Sequence, residues 1–374
     1  MKPQFGYYKR KRVAREELPQ TTADFEEAFT NSIEESRPEN VREPTEKERT
    51  ILSDAHELVR GFLAEKYGQI DFQQILPEKV WVSEGLSKKP HMREGGRLVM
   101  HRKEHGDYGD AELFRSTIHE LFHHVSTNKR IISSHARQIH SGFRRGINRF
   151  DPTTGARPEA EDLFIAFDEA MTELLARDAI QTGRQHGNTY IAEMDQTHQA
   201  HIDEIRTFIP ENLDLADVDR IVIKDEKVER VLSAYQFEVE MLRSIFDQIA
   251  QSQGLSSSEI QSIFQQGFFH ADLSNTKKVL QKTFGKFTLR MLAHWRPNDF
   301  DNERGQLLKT FFSNASESDR EKAAKVFLED PEKQMDKSRI RRKKTIDSSG
   351  PRCQICDSSN AEGTTSCTFC GSPL

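Results

Sequence analysis

The chain is expected to fold mainly as α-helix with a small β-sheet, and three observations lead there. Apolar residues recur at helical spacing through long stretches, among them Ile51 to Leu63, Phe114 to Val125 and Leu163 to Leu175. Two short β-like runs, Val80-Trp81-Val82 and Arg97-Leu98-Val99-Met100, fall between the first two of these stretches. All four cysteines lie beyond residue 350, so no disulfide framework supports the main body.

Totals narrow the function classes. A length of 374 residues allows about two domains. Hydrophobic content of 35% and a mean hydropathy of -0.73 describe a polar chain, so only part of it can carry the core. The net charge of -6 gives no global case for nucleic-acid binding, although basic clusters lie near both ends. No run of about 18 apolar residues is present to cross a membrane. The basic start, Tyr7-Tyr8-Lys9-Arg10-Lys11-Arg12, has no apolar stretch of the signal-peptide kind, and a cytoplasmic protein is expected.

Taken in order, residues 1–43 read as a disordered tail, basic and then acidic (Glu26, Glu27, Glu34, Glu35). A main domain is expected over 44–254. Thr45 with Glu48 makes a capping box, followed by the stripe Ile51, Leu52, Ala55, Leu58, Val59, Phe62 and Leu63. Asp110 is placed to cap a second helix with Phe114, Ile118, Leu121 and Val125 as its buried stripe. Ser141-Gly-Phe-Arg-Arg-Gly146 and Asp151-Pro-Thr-Thr-Gly155 read as a hairpin and its turn. A further helix is expected over about 160–180, with helical patterns at about 190–208 and 225–252, the last ended by Gly254. Residues 255–336 read as a helical extension, opened by the capping box Ser256/Glu259, with Ser318/Glu321 capping its last helix and Pro331 closing it. Whether this extension packs on the main domain or stands apart is left open. A basic linker, 337–350, leads to a cysteine segment, 351–374.

The second helix carries His119-Glu120-Leu121-Phe122-His123. Residues four apart stack on one helix face, so the two imidazoles can grip one ion. Glu120 sits beside them, within reach of a water on the open side of that ion. Leu121 and Phe122 fall on the core side and anchor the histidines. His124 points about 100° away and is excluded from the ligand set. A catalytic zinc takes three protein ligands and keeps a fourth position open. Glu169, on the next strong helix, is the candidate third ligand, and Glu173, one turn later, is a candidate partner that orients a histidine ring.

The order of His119-Glu-Leu-Phe-His123, the hairpin with Arg144, Arg145 and Gly146, and Asp168-Glu-Ala-Met-Thr-Glu173 resembles the gluzincin zinc metallopeptidases. The likeness covers roughly residues 50–250. In that group the third ligand is a glutamate in a pattern like Asn-Glu-Ala-x-Thr-Glu, and this chain departs from it with Asp168. The resemblance implies a zincin-like α+β domain that hydrolyses peptide bonds, with Glu120 as general base. It also implies an oxyanion role for Tyr235, although a tyrosine at helical spacing can equally be a packing residue.

Cys353-x-x-Cys356 and Cys367-x-x-Cys370, ten residues apart, supply four thiolates for a closed tetrahedral zinc site. The segment resembles a small zinc ribbon, stabilised by its metal. Two zinc ions are therefore expected, one catalytic and one structural. The expected partners are a protein or peptide substrate and a protein recruited by the ribbon. A nucleic acid is less favoured, because Phe369 is the ribbon's one aromatic residue. The alternatives are a non-catalytic zinc-binding scaffold and a nucleic-acid-associated regulator. Retention of Glu120 beside both histidines favours the enzyme.

Overall fold

A computed structural model describes residues 41–329, apart from 68–78, 85–90, 94–96, 103–106, 127–128, 133–135, 150–159, 201–219, 225–226, 233–234, 271–272, 298 and 300–301. The expected tail at 1–43, apart from 41–43, and the linker and cysteine segment lie outside the described residues. What is described is mostly helical. The chain divides into two compact units, one from 41–125 and 174–232, the other from 126–173 and 235–329.

In the first unit, α1 (Glu46–Tyr67) starts where the capping box puts it. The Thr45 amide donates to Glu48 Oε2 at 2.8 Å, and the Glu48 amide donates back to Thr45 Oγ1 at 3.3 Å. Glu48 is wholly buried, and the Arg42 guanidinium reaches both of its carboxylate oxygens, at 2.6 and 2.8 Å. Arg42 belongs to the two-residue strand β1 (Val41–Arg42), which pairs with β2 (Lys79–Glu84). One buried carboxylate thus caps the helix and ties down the segment before it. Strand β2 runs parallel to β4 (Arg97–Arg102), and β3 (His91–Arg93) pairs antiparallel on the other side of β4.

Every apolar position of the α1 stripe is buried. Its partner is α2 (Asp107–Val125), where Phe122 meets Phe62 edge-to-face with ring centroids 5.8 Å apart. Helix α2 begins three residues before Asp110, so that residue is no cap. It lies buried within the first turn, ion-paired with Lys47 of α1. Val125, expected in the core stripe, is only half-buried.

Helix α3 (Ile165–Gln185) begins later than expected, after the short strand β8 (Ala160–Leu163), and contributes its second half to this unit. Gly183 brings it close to its neighbours. A Cβ there would sit 2.5 Å from Leu58 and 2.6 Å from Ile191 of α4 (Thr189–Ala200). Arg184 also grips both oxygens of Asp195 on α4, at 2.6 and 2.7 Å. Strands β9 (Arg220–Lys224) and β10 (Lys227–Leu232) form a hairpin, opposing Ile223 to Val228 and Ile221 to Val231. The helix expected from about 225 is therefore corrected to begin at 236, because β-branched residues on facing strands favour the pleat.

The second unit contains β5 (Lys129–Ile132), β6 (Ala136–Ser141), β7 (Arg144–Arg149) and β8, paired in that order. It continues with α5 (Gln236–Gln253), α6 (Ser257–Phe269), α7 (Ser274–Phe284), α8 (Thr288–His294), α9 (Glu303–Phe311) and α10 (Glu317–Glu329). Gly254 ends α5 in the left-handed conformation, and Ser256/Glu259 forms a complete capping box for α6, both as expected. At α10 the cap lies two residues earlier than the expected pair. Ser316 Oγ accepts the Asp319 amide at 3.2 Å, the first of two overlapping serine-acid pairs. The extension is not free-standing. Phe264 and Phe268 of α6 pack edge-to-face on Phe167 and Phe143 respectively.

His56 of α1 is half-buried, and its Nε2 has no hydrogen-bond partner among the described residues. Burial holds its pKa below the ordinary imidazole value, with Arg60 adding to the effect and Glu57 opposing it. Below about pH 6.5 the unfolded chain binds this proton more readily than the folded one, so stability falls with falling pH. Denaturant unfolding of wild type against His56→Leu should show a shallower loss between about pH 7 and 5 in the variant. Glu48→Ala should lower stability by about 1–3 kcal/mol, seen as a reduced urea midpoint with unchanged slope.

Candidate metal centre

Helix α2 presents the two expected histidines together. His119 Nε2 and His123 Nε2 lie 3.2 Å apart, with ring centroids 4.9 Å apart and planes at 74°. Two nitrogen ligands at ~2.0–2.1 Å from a tetrahedral ion would be about 3.3–3.4 Å apart, so the spacing fits one shared ion. For both lone pairs to converge, each ring must carry its proton on Nδ1.

Glu169 completes the set. One ligand atom from each of His119, His123 and Glu169 lies within 4.8 Å of the others, and it is the one such group among the described residues. These three residues could hold a metal ion. His119 is 9% exposed, while His123 and Glu169 are half-buried, so the group is neither sealed nor on an open surface. Glu120 is buried beside them on α2.

The other expected residues are placed less directly. Glu173 is buried one turn after Glu169 on α3. His124 is half-buried and outside the cluster. Tyr235 stands at the start of α5, half-buried. Cys353, Cys356, Cys367 and Cys370 lie outside the described residues.

Two features at helix starts escaped the sequence. Phe164, directly before α3, has φ 64°, and Tyr235, directly before α5, has φ 50°. Among the described residues these are the two non-glycine positions in the left-handed region. Each conformation costs about 1–3 kcal/mol and persists only where surrounding structure over-determines it. For Phe164 that structure is visible: its ring is wholly buried and its amide donates to the Ala293 carbonyl at 3.0 Å. The strain sits at the entry to the helix that carries Glu169.

Asp168 is the second feature. It is 1% exposed, and its Oδ1 accepts the amides of Phe143 at 2.6 Å and Arg144 at 3.3 Å. The turn between β6 and β7 is thereby fastened to the residue beside Glu169. Gly142 makes this approach possible. It has φ +52°, and a Cβ there would lie 2.3 Å from Asp168 Oδ1 and 2.5 Å from the Phe268 ring. Phe143 then stacks on Phe167 with centroids 4.6 Å apart. The Gly142 turn was visible in the sequence; its distant acceptor was not.

No family model, curated protein or solved structure matches this chain. The functional reading therefore rests on its own residues.

A metal held by this group should stabilise the folded chain. At a hundredfold excess over its dissociation constant the gain is about 2.7 kcal/mol, several degrees in a thermal melt. Glu169→Ala should lose most of that gain on zinc addition, measured by calorimetry against the wild type. Equal shifts in the two proteins would remove Glu169 from the ligand set.

Proposed function

We propose that the chain is a zinc metallopeptidase of the gluzincin kind, with a zincin-like catalytic region and a separate four-cysteine zinc ribbon. The observation that carries the reading is the convergence of His119, His123 and Glu169, with Glu120 buried between the two histidines in sequence. Two imidazoles and one carboxylate are a donor set suited to catalytic zinc, which leaves a position for water. Zinc in such a set supplies a lowered water pKa, towards ~7, and polarises a carbonyl oxygen.

The protein's own groups do the rest. Glu120 follows His119 by one residue and so lies about 100° round the helix, flanking the face that His119 and His123 share. Its carboxylate accepts a proton from the attacking water and delivers it to the leaving amine. Glu173, wholly enclosed on the ligand helix, has the chemistry to fix a histidine ring through its Nδ1–H. Tyr235 is proposed to steady the oxyanion; its strained backbone is consistent with a side chain held for a purpose. The substrate class is a peptide or protein. The ribbon, through Cys353, Cys356, Cys367 and Cys370, is proposed to bind a second, structural zinc and to recruit a protein partner. Among the described residues no helix is long and apolar enough to cross a membrane.

The enzyme and scaffold readings differ in whether the buried acid at position 120 acts as a base. Glu120→Gln preserves size and one acceptor oxygen while removing the base. The variant should retain the wild-type zinc count by atomic absorption and lose at least ~10²-fold in cleavage of a quenched peptide library. Undiminished cleavage would rule out the assigned base. A well-folded wild type with zinc at the cysteines alone would overturn the enzyme reading.

A further inference from the structure

To serve as a ligand Glu169 has to point at the two histidines, and its direction is set by how its helix turn is held. Among the wholly or almost wholly buried residues around it are Phe164, Phe167 and Asp168. Each is held by something outside the helix. Phe164 is fastened through its amide to Ala293, and Phe167 is stacked under Phe143. Asp168 receives the two turn amides. Thr172, also buried, closes the same turn by donating its hydroxyl to the Asp168 carbonyl at 2.9 Å. Neighbours on a helix are 100° apart, so fixing positions 167 and 168 fixes the direction left to 169.

We infer that Asp168 is a positioning residue for the metal ligand Glu169, acting through the β6–β7 turn. The inference rests on the metal-centre reading above. Its chemistry is specific: one buried oxygen accepts two consecutive backbone amides, so the turn and the first turn of α3 move as one piece. Nothing in that role requires Asp168 to touch the metal or the substrate. An acceptor at Oδ1 is what the two amides need, and an asparagine side chain retains one. An alanine leaves both amides without their acceptor and lets the Gly142 turn separate from the helix.

The test compares Asp168→Ala and Asp168→Asn in the full-length chain, with Glu169→Ala as the reference for zinc that does not depend on this site. Two quantities are read. Hydrogen exchange at the Phe143 and Arg144 amides reports the fastening without any metal. Chelator competition reports zinc affinity under conditions where circular dichroism shows each variant folded. D168A should exchange both amides faster and bind zinc about 10–100-fold more weakly, the range typical for losing a residue that orients a ligand. D168N should keep the protection of both amides and stay within about threefold of wild-type affinity. Wild-type zinc affinity in D168A, with its amides deprotected, would overturn the inference while leaving the metal centre intact. So would a tenfold or larger loss in D168N, which also decides the matter if D168A does not fold. Failure of the metal reading itself is recognised separately, because wild type and E169A would then bind the same zinc.

Discussion

The apolar side of α2 constrains everything that follows. Phe114, Ile118 and Phe122 are wholly buried, and Leu121 nearly so, with Phe122 set edge-on against Phe62 of α1. A helix is a rigid rod, so locking one stripe locks the rotation of all the others. The face that remains holds His119 and His123, and their Nε2 atoms come to 3.2 Å. Two variable positions inside the ligand motif thus serve as its foundation. Loosening them would disperse the ligands before any ligand was itself changed.

Local backbone cost falls at two helix entries. Phe164 and Tyr235 adopt left-handed backbone conformations that side chains disfavour, and Phe164 directly precedes the helix that carries Glu169. Phe164 is held there by a buried ring and a hydrogen bond to Ala293. Asp168 holds a carboxylate away from solvent, supplied by the amides of a turn that only glycine at 142 can make. Arrangements of this kind restrict motion in exchange for stability. That is the expected pattern where a few side-chain atoms must be held to a fraction of an ångström.

Features that depend on neighbours along the chain were legible in advance. Thr45 with Glu48 and Ser256 with Glu259 form reciprocal caps because the partners lie three residues apart, whatever the rest of the molecule does. Gly254 ends its helix for a similarly local reason. Legibility failed where two local choices competed. Ser316 and Ser318 each precede an acid by three residues, and the helix took the earlier one. Residues 227–232 carry enough apolar residues for a helix, yet pairing with 220–224 drew them into a hairpin. Asp110 had the composition of a cap, but the helix began three residues before it and left it to pair with Lys47.

The same division runs through the candidate metal centre. Sequence alone determined that His119 and His123 share a face, because helical periodicity converts a spacing of four into proximity. It also determined that Glu120 would flank them and that Leu121 and Phe122 would be interior. Tertiary structure decided which distant carboxylate joins the pair. Glu169 lies within 4.8 Å of them, and the groups packed on its own helix turn, Phe143, Phe264 and the turn amides, are scattered over more than a hundred residues of chain. Periodicity carries information along one element; the meeting of separate elements depends on how their surfaces pack, which no spacing records.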